Sequence, residues 1–149
     1  SSSNKIRKYD VEDTAVVNFV FKSGALGVLS VSDTIVSPWS YELTAGENPA
    51  YPITNQSAYY IGGTKSSIQF PNYKEWYNKK ERSWWKPILH KDESTRESRY
   101  TLTNQINHLC DVVNKKTKPK ITGEDGLLSL KIFAAIIKSA KTGKKVKIK

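Results

Sequence analysis

The sequence predicts an α+β fold, with a predominantly antiparallel or mixed open β-sheet and helices packed on one face. Three observations support this prediction: strand-like alternation fills the first half of the chain, short turns typical of hairpins join the strands, and helical periodicity is confined to the last third. Strands followed by helices favour α+β over a parallel α/β sheet. The chain has 149 residues, of which 38% are hydrophobic and 26% charged, so one domain over residues 1–149 is expected.

The clearest hairpin covers residues 15–33. Two β-prone runs, AVVNFVF and ALGVLSVSD, flank the connector Lys22-Ser23-Gly24, a pattern typical of a hairpin. Both runs carry apolar side chains on both faces, and such strands need cover on both. We expect the chain's own helices to cover one face. The other face, with Val16, Val20, Leu26 and Val28, is expected to pair with a second copy; the alternative is a roof formed by residues 72–101.

The other strand predictions are less regular. Alternation or β-prone composition predicts strands at residues 39–45, 57–61, 66–70 and 146–148, and a further short strand that begins at Trp84-Trp85 and ends at Pro87. Residues 46–55 and 92–98 are predicted loops because Pro, Asn, Gly and charged residues accumulate there. We leave the opening residues 1–3 outside the fold, as a linker or a remnant of cloning.

Two helices are predicted at the end of the chain. In residues 103–114 the apolar side chains recur at helical spacing, and Thr103 is the expected N-cap. In residues 123–142 a broad apolar stripe predicts a core helix packed on the sheet. Thr122 is its expected N-cap and Gly143 its expected stop.

Cysteine content and hydropathy restrict the class of protein. The chain has one cysteine, Cys110, which excludes an internal disulfide framework. We expect Cys110 to be a buried helix residue of a protein in a reducing compartment. No apolar run is long enough to cross a bilayer. We therefore expect a cytoplasmic protein without a membrane partner.

The net charge of +10 raises the possibility of a nucleic-acid partner. Residues 111–149 hold eleven Lys and three acids, so +8 of the excess lies there, spread along a helix exterior and an alternating tail. Dispersed lysines of this kind more often form a solvated face than a binding site. We expect no specific nucleic-acid binding, although a non-specific nucleic-acid or carbohydrate-binding module remains the alternative function.

Recognisable catalytic and metal motifs are missing from the sequence. Gly24-Ala25-Leu26-Gly27 lies in the predicted hairpin and therefore is not the glycine-rich turn of a dinucleotide site. His108 and Cys110 are two positions apart, which places them about 200° apart around a helix. No catalytic, cofactor-binding or metal-binding residue is therefore assigned.

The best candidate for a ligand surface is the loop at residues 47–52. Glu47, Asn48 and Tyr51 offer the donors and acceptors that a polyhydroxylated ligand needs, and the prolines of the loop stiffen it. A turn that is merely decorated with polar residues is an equal alternative. A cluster of Trp76, Trp84 and Trp85 suits stacking on a sugar or a base, although sheet packing is the commoner role.

Several segments resemble the C-terminal domain of the Gfo/Idh/MocA oxidoreductases, which include glucose–fructose oxidoreductase and inositol dehydrogenases. They are Val11-Glu12-Asp13-Thr14 with the hairpin after it, the IGGTKSSI run at 61–68, the QINHL and DVV runs at 105–113, and the DGL…SAKTGKKV ending at 125–146. In this order and spacing they cover nearly the whole chain.

The resemblance implies a function. Members pair an N-terminal Rossmann domain, which binds NAD or NADP, with an α+β domain that shapes the substrate site and often builds the dimer interface. It implies an NAD(P)-dependent oxidoreductase acting on a sugar or polyol hydroxyl, and a homo-oligomer formed through the open sheet face. The Rossmann domain, the catalytic lysine and the Asp…His motif do not occur in this sequence, so we expect a fragment that binds no cofactor and is not catalytically competent.

Overall fold

Backbone pairing confirms the predicted α+β class with open antiparallel sheets. The computed structural model describes residues 1–92 and 100–148. Among these residues the strands are β1 (Ser2–Asn4), β2 (Thr14–Val20), β3 (Leu26–Ser32), β4 (Tyr59–Gly62), β5 (Ser66–Phe70), β6 (Lys74–Tyr77) and β7 (Leu89–Asp92). The helices are α1 (Tyr41–Ala45), α2 (Thr101–Val113) and α3 (Gly123–Thr142). Two units are distinguished: unit 1 comprises Ser1–Val36 and Thr117–Lys149, and unit 2 comprises Ser37–Lys116.

The predicted hairpin is the centre of unit 1. Strands β2 and β3 pair antiparallel over seven residues, from Thr14 opposite Ser32 to Val20 opposite Leu26. The Phe21 amide donates to the Ala25 carbonyl at 2.9 Å, and Gly24 between them has φ of 87°. Glycine adopts this backbone region without the steric penalty of a side chain, which explains its place in the connector.

The opening residues belong to the fold, so the prediction that they form a linker is wrong. Strand β1 pairs antiparallel with β2, with Ser3 opposite Ala15, and completes a sheet in the order β1-β2-β3. The Ser1 hydroxyl donates to the Ile136 carbonyl of α3 at 2.8 Å. Three serines carry no apolar periodicity, and their strand depends on the edge that β2 offers.

Burial on β2 and β3 is limited to one side chain, and exposure extends to Leu29 and Val31 on the face that carries Val17. Val17 is buried, whereas the outward set of Val16, Val20, Leu26 and Val28 is exposed, with Val28 at 75%. We call these four side chains the open face.

Helix α3 has the predicted termini but not the predicted packing. The Thr122 hydroxyl accepts from the Asp125 amide, the Asp125 carboxylate accepts from the Thr122 amide, and Gly143 ends the helix in the left-handed conformation. Its apolar stripe, expected in a core, is exposed at Leu130 and Phe133. The prediction of a core helix is wrong because α3 contacts the sheet at the edge strand β1. Residues 146–148 form no strand either, since no described strand pairs with them.

Unit 2 begins with a helix where a strand was predicted. The Ser40 hydroxyl accepts from the Leu43 amide at 3.4 Å, and Gly46 ends α1 with φ of 65°. A capping residue at the start and a left-handed glycine at the end stabilise one helical turn. The helix caps outweigh the alternation of apolar and polar side chains in residues 39–45. The strand prediction there is therefore wrong.

A four-stranded antiparallel sheet in the order β4-β5-β6-β7 forms the body of unit 2. The prediction for β5 is confirmed residue for residue, while β4 begins two residues later than predicted and β6 and β7 were missed. Trp84 and Trp85 precede β7 and belong to no strand, which corrects the strand predicted there. Asp92 ends β7, and the rest of the predicted 92–98 loop lies outside the described residues.

Helix α2 differs from its prediction in cap and burial. It begins two residues before Thr103, so that residue lies inside the helix, and Tyr100 occupies the N-cap without a side-chain hydrogen bond. Leu109 and Val113 of the predicted apolar face are exposed. Cys110 is an exposed free thiol rather than a buried residue.

The turn between β4 and β5 explains one glycine of the IGGTKSSI run. A Cβ at Gly63 would lie 2.7 Å from the Ser66 carbonyl oxygen, whereas a Cβ at Gly62 would meet nothing nearer than the Ser67 hydroxyl at 3.9 Å. We predict that Gly63→Ala lowers the free energy of unfolding by about 1–3 kcal/mol, because the backbone must shift. The matched Gly62→Ala variant should change it by less than about 0.5 kcal/mol. Urea unfolding measures both, and equal midpoints for the two variants would contradict this geometry.

Candidate functional site

A cleft of about 410 Å³ lies within unit 2, a volume in the usual range for small-molecule sites. Helix α1, the loop after it and the start of α2 form its walls. The lining residues are Tyr41, Glu42, Ala45, Glu47, Asn48, Pro49, Tyr51, Tyr100, Thr101, Leu102 and Thr103. The three predicted ligand contacts, Glu47, Asn48 and Tyr51, all line this one cleft. Their role as ligand contacts stays a prediction.

The contact between Tyr41 and Glu47 ties α1 to the loop. The Tyr41 hydroxyl donates to Glu47 Oε1 at 2.7 Å. The Tyr41 ring stacks on Phe70 of β5, with ring centroids 5.9 Å apart and planes inclined by 16°, and it also contacts Tyr59 of β4. The four-stranded sheet therefore holds the tyrosine, and the tyrosine orients the carboxylate.

Burial is the largest cause that raises the pKa of Tyr41 to about 12, and the hydrogen bond to Glu47 and its negative charge contribute to the same rise. The phenol therefore stays protonated at neutral pH and remains a donor. Because Tyr41 occupies only Oε1, the second oxygen of Glu47 can accept a hydrogen bond from a ligand.

Different groups of Asn48 serve the turn and the cleft. Its Oδ1 accepts from the Ala50 amide at 3.0 Å, and its main-chain carbonyl accepts from the Tyr51 amide at 3.2 Å. This side-chain contact is an Asx turn, which fixes the loop locally. Because Oδ1 is used by the turn, Asn48 offers a ligand its amide NH₂ as a donor.

The far end of the loop is also fixed. The Thr54 amide donates to the Leu43 carbonyl at 3.0 Å, and the Thr54 hydroxyl donates to the Pro38 carbonyl at 2.6 Å. The loop is therefore held at Glu47, at Asn48 and at Thr54, and presents its polar groups from a defined backbone.

The predicted tryptophan cluster does not form. Trp76 is half-buried in β6, where its ring lies 4.9 Å from the His90 ring and 5.1 Å from Lys74 Nζ. Trp84 and Trp85 are each 95% exposed. The pairing of β6 with β7 places Trp76 opposite His90, so its neighbours are set by strand register.

The described residues do not fit a dinucleotide. Gly24 serves the hairpin connector, and Gly27 lies in β3, where a Cβ would meet the Phe21 ring at 3.3 Å. A dinucleotide phosphate site requires a glycine-rich turn from a strand into a helix. Instead, Gly24 supplies the left-handed backbone of the connector, and Gly27 allows the Phe21 ring to pack closely on β3.

Two further searches of the described residues gave negative results. No group of three or more His, Cys, Asp or Glu side chains is arranged to hold a metal ion. None of the described helices combines the length and the apolar character that crossing a membrane requires.

Sequence reasoning missed the rest of the cleft. Tyr41 and Glu42 were assigned to a strand, although the Ser40 and Gly46 caps were present in the sequence as an indication of a helix. The wall at Thr101 and Thr103 depends on how α2 packs within unit 2 and leaves no local pattern.

We predict that Glu47→Gln lowers the pKa of Tyr41 from about 12 towards its ordinary value of 10 without reaching it, because burial remains the largest cause. The folded-state pKa is raised, so the stability that this phenol contributes is complete below pH 10 and is lost as the pH rises towards 12. Ultraviolet titration of tyrosine ionisation measures the shift. Tyr41→Phe is the control, which should remove the late step; an unchanged step in Glu47→Gln would contradict the contact.

Comparison with known proteins adds the family. The model of an oxidoreductase family, C-terminal alpha/beta domain, matches residues 1–148. Neither the curated proteins nor the solved structures gave a match. The family match covers nearly the whole chain, including both sheets and the cleft. The chain therefore belongs to the Gfo/Idh/MocA oxidoreductase family, as its C-terminal alpha/beta domain.

Proposed function

We propose that this chain is the substrate-binding and dimerisation domain of a cytoplasmic NAD(P)-dependent oxidoreductase that acts on a hydroxyl of a sugar or polyol. One domain over residues 1–149 works together with an N-terminal Rossmann domain. The observation that carries the proposal is the cleft in which Glu47, Asn48 and Tyr51 meet, inside the C-terminal domain of an oxidoreductase family.

The cleft has the groups needed to hold a polyhydroxylated molecule. The free oxygen of Glu47 accepts from one ligand hydroxyl, and the Asn48 amide donates to another. The ring of Tyr51, which is partly exposed, offers an apolar surface to the C–H face of a sugar. Fixed polar groups on a stiff loop orient a ligand with little loss of freedom on binding.

The residues of this chain indicate which steps belong to it and which belong to the Rossmann domain. When bound to the Rossmann domain, NAD or NADP supplies the hydride chemistry of the reaction. This chain supplies binding and orientation, since its described residues fit no dinucleotide and no catalytic residue is assigned to it.

The proposal predicts that the chain alone does not bind NADH at micromolar concentration and oxidises no sugar. Calorimetric titration of the chain with NADH tests the first point, and tight binding would overturn the assignment of the cofactor to another domain.

In the complete enzyme, Asn48→Ala should raise KM for the sugar or polyol about tenfold with a smaller change in kcat, because a binding hydrogen bond is lost. Steady-state assays that follow NAD(P)H absorbance measure this effect. The matched control is Asn107→Ala, an exposed position on α2 outside the lining of the cleft, which should leave both constants unchanged. Equal effects of the two variants would contradict the cleft as the substrate site.

The proposed homo-oligomer uses the open face. Val16, Val20, Leu26 and Val28 are all exposed on neighbouring strands of one sheet. A group of exposed apolar side chains on one sheet face is uncommon on a monomer and marks an interaction surface. A two-fold pairing of identical faces would bury it in both copies.

We predict that Val28→Asp shifts the assembly from dimer to monomer while the circular dichroism spectrum is retained, because a carboxylate would be buried between copies. Light scattering gives the mass. Val36→Asp is the control, because Val36 is also exposed but lies beyond the end of β3. A wild-type monomer over a wide concentration range would overturn the dimer.

One observation favours the alternative, a non-specific nucleic-acid or carbohydrate-binding module. The fully exposed rings of Trp84 and Trp85 follow the basic residues Lys79, Lys80 and Arg82, and aromatic rings beside basic groups suit stacking on single-stranded bases. Gel shifts with random single and double strands separate the two functions. The oxidoreductase proposal predicts only weak binding that fades as salt rises, whereas tight binding at high salt would favour the alternative.

A further inference from the structure

We propose that the cleft recognises a polyhydroxylated ligand that carries a protonated amine, that is, an amino sugar or an amino polyol. The inference rests on the proposed function, because it names the substrate class for the same cleft. It goes further by stating the charge of the ligand, which neither the family nor the predicted contacts specify.

The charge of the lining is the first argument. Glu42 and Glu47 bring two carboxylates to the cleft, and the part of the lining that the structure describes contains no Lys, Arg or His. The chain as a whole carries +10, so the charge of this lining is opposite in sign to the net charge of the chain. Two carboxylates attract an ammonium group and repel a phosphate or a carboxylate at the same distance.

The orientation of Glu47 is the second argument. Its Oε1 accepts from the Tyr41 hydroxyl at 2.7 Å, and Tyr41 is itself stacked on Phe70. A carboxylate held in this way need not be ordered when a ligand binds. An ammonium group carries three donors and no acceptor, and hydrogen bonds between it and a carboxylate are among the stronger ones in proteins.

The aromatic lining is the third argument. Tyr41, Tyr51 and Tyr100 line the cleft, and the faces of tyrosine rings attract cations. The rings also pack against the C–H faces of a sugar. The Asn48 amide serves the ligand's hydroxyls, so the cleft combines recognition of an amine with recognition of its neighbouring hydroxyls.

The test compares three ligands of matched size that differ in charge: glucosamine, glucose and glucuronate. Calorimetric titration of the protein at low ionic strength should give an affinity for glucosamine about tenfold higher than for glucose, and an affinity for glucuronate about tenfold lower than for glucose. These factors are expected when the carboxylates of the cleft lie a few ångströms from the charged group of the ligand. The advantage of the amine should shrink as salt is added.

Variants assign the preference to the cleft. Glu47→Gln keeps an acceptor oxygen for Tyr41 and removes the charge, so the preference for glucosamine over glucose should fall to about threefold or less. Glu12→Gln removes an exposed carboxylate outside the cleft and should leave the preference intact. A preference that survives Glu47→Gln would overturn the inference.

The remaining outcomes separate this inference from the proposed function. In one outcome glucose binds, Asn48→Ala weakens this binding, and the amine gives no advantage in affinity. The cleft is then a sugar site without charge selection, and only the inference fails. If none of the three ligands binds, or if binding is unaffected by both cleft variants, the inference and the proposed substrate site fail together.

Discussion

The solvent exposure of its large apolar side chains is the main physical constraint on this chain. Among the described residues Val17 is the single buried hydrophobic side chain, while the open face, the α2 face and the α3 stripe are exposed. Exposed apolar surface of this kind is unfavourable in water, at roughly 25 cal/mol per Å². The proposed Rossmann domain and the proposed second copy of the chain would supply such cover.

The cleft depends on one contact in the same way. Among the described residues, two hydrogen bonds tie the loop to α1: one from the Tyr41 hydroxyl to Glu47 and one from the Thr54 amide to the Leu43 carbonyl. The aromatic stack on Phe70 extends this support to the four-stranded sheet. Each element therefore supports the next: β5 positions the ring of Tyr41, the ring positions the Glu47 carboxylate, and the carboxylate lines the cleft.

Local patterns predicted what local interactions determine. The β2–β3 hairpin and α3 termini were predicted because Gly24 and the Thr122 cap act within a few residues. The Ser40 and Gly46 caps were equally local but were outweighed by alternation, which is why α1 was missed. Strand β6 was missed because its mixed side chains are arranged by pairing with β5 rather than by their own pattern.

The same distinction holds for the site. Glu47, Asn48 and Tyr51 lie within five residues, and their composition alone indicated a ligand surface. The wall at the start of α2 is about fifty residues away in the sequence and becomes visible only in the fold. Burial was the least predictable property: the α3 stripe has the composition of a core helix, yet the described sheet of unit 1 does not cover it.

The most direct test of the central claim is to map a neutral polyol on the chain by backbone amide NMR shifts during titration with myo-inositol. If the cleft is the substrate site, the shifts will concentrate at residues 41–51 and 101–103, on the two walls of the cleft. Saturable shifts concentrated in unit 1, or around Trp84 and Trp85, would place the ligand elsewhere and contradict the assignment of the cleft as the substrate site.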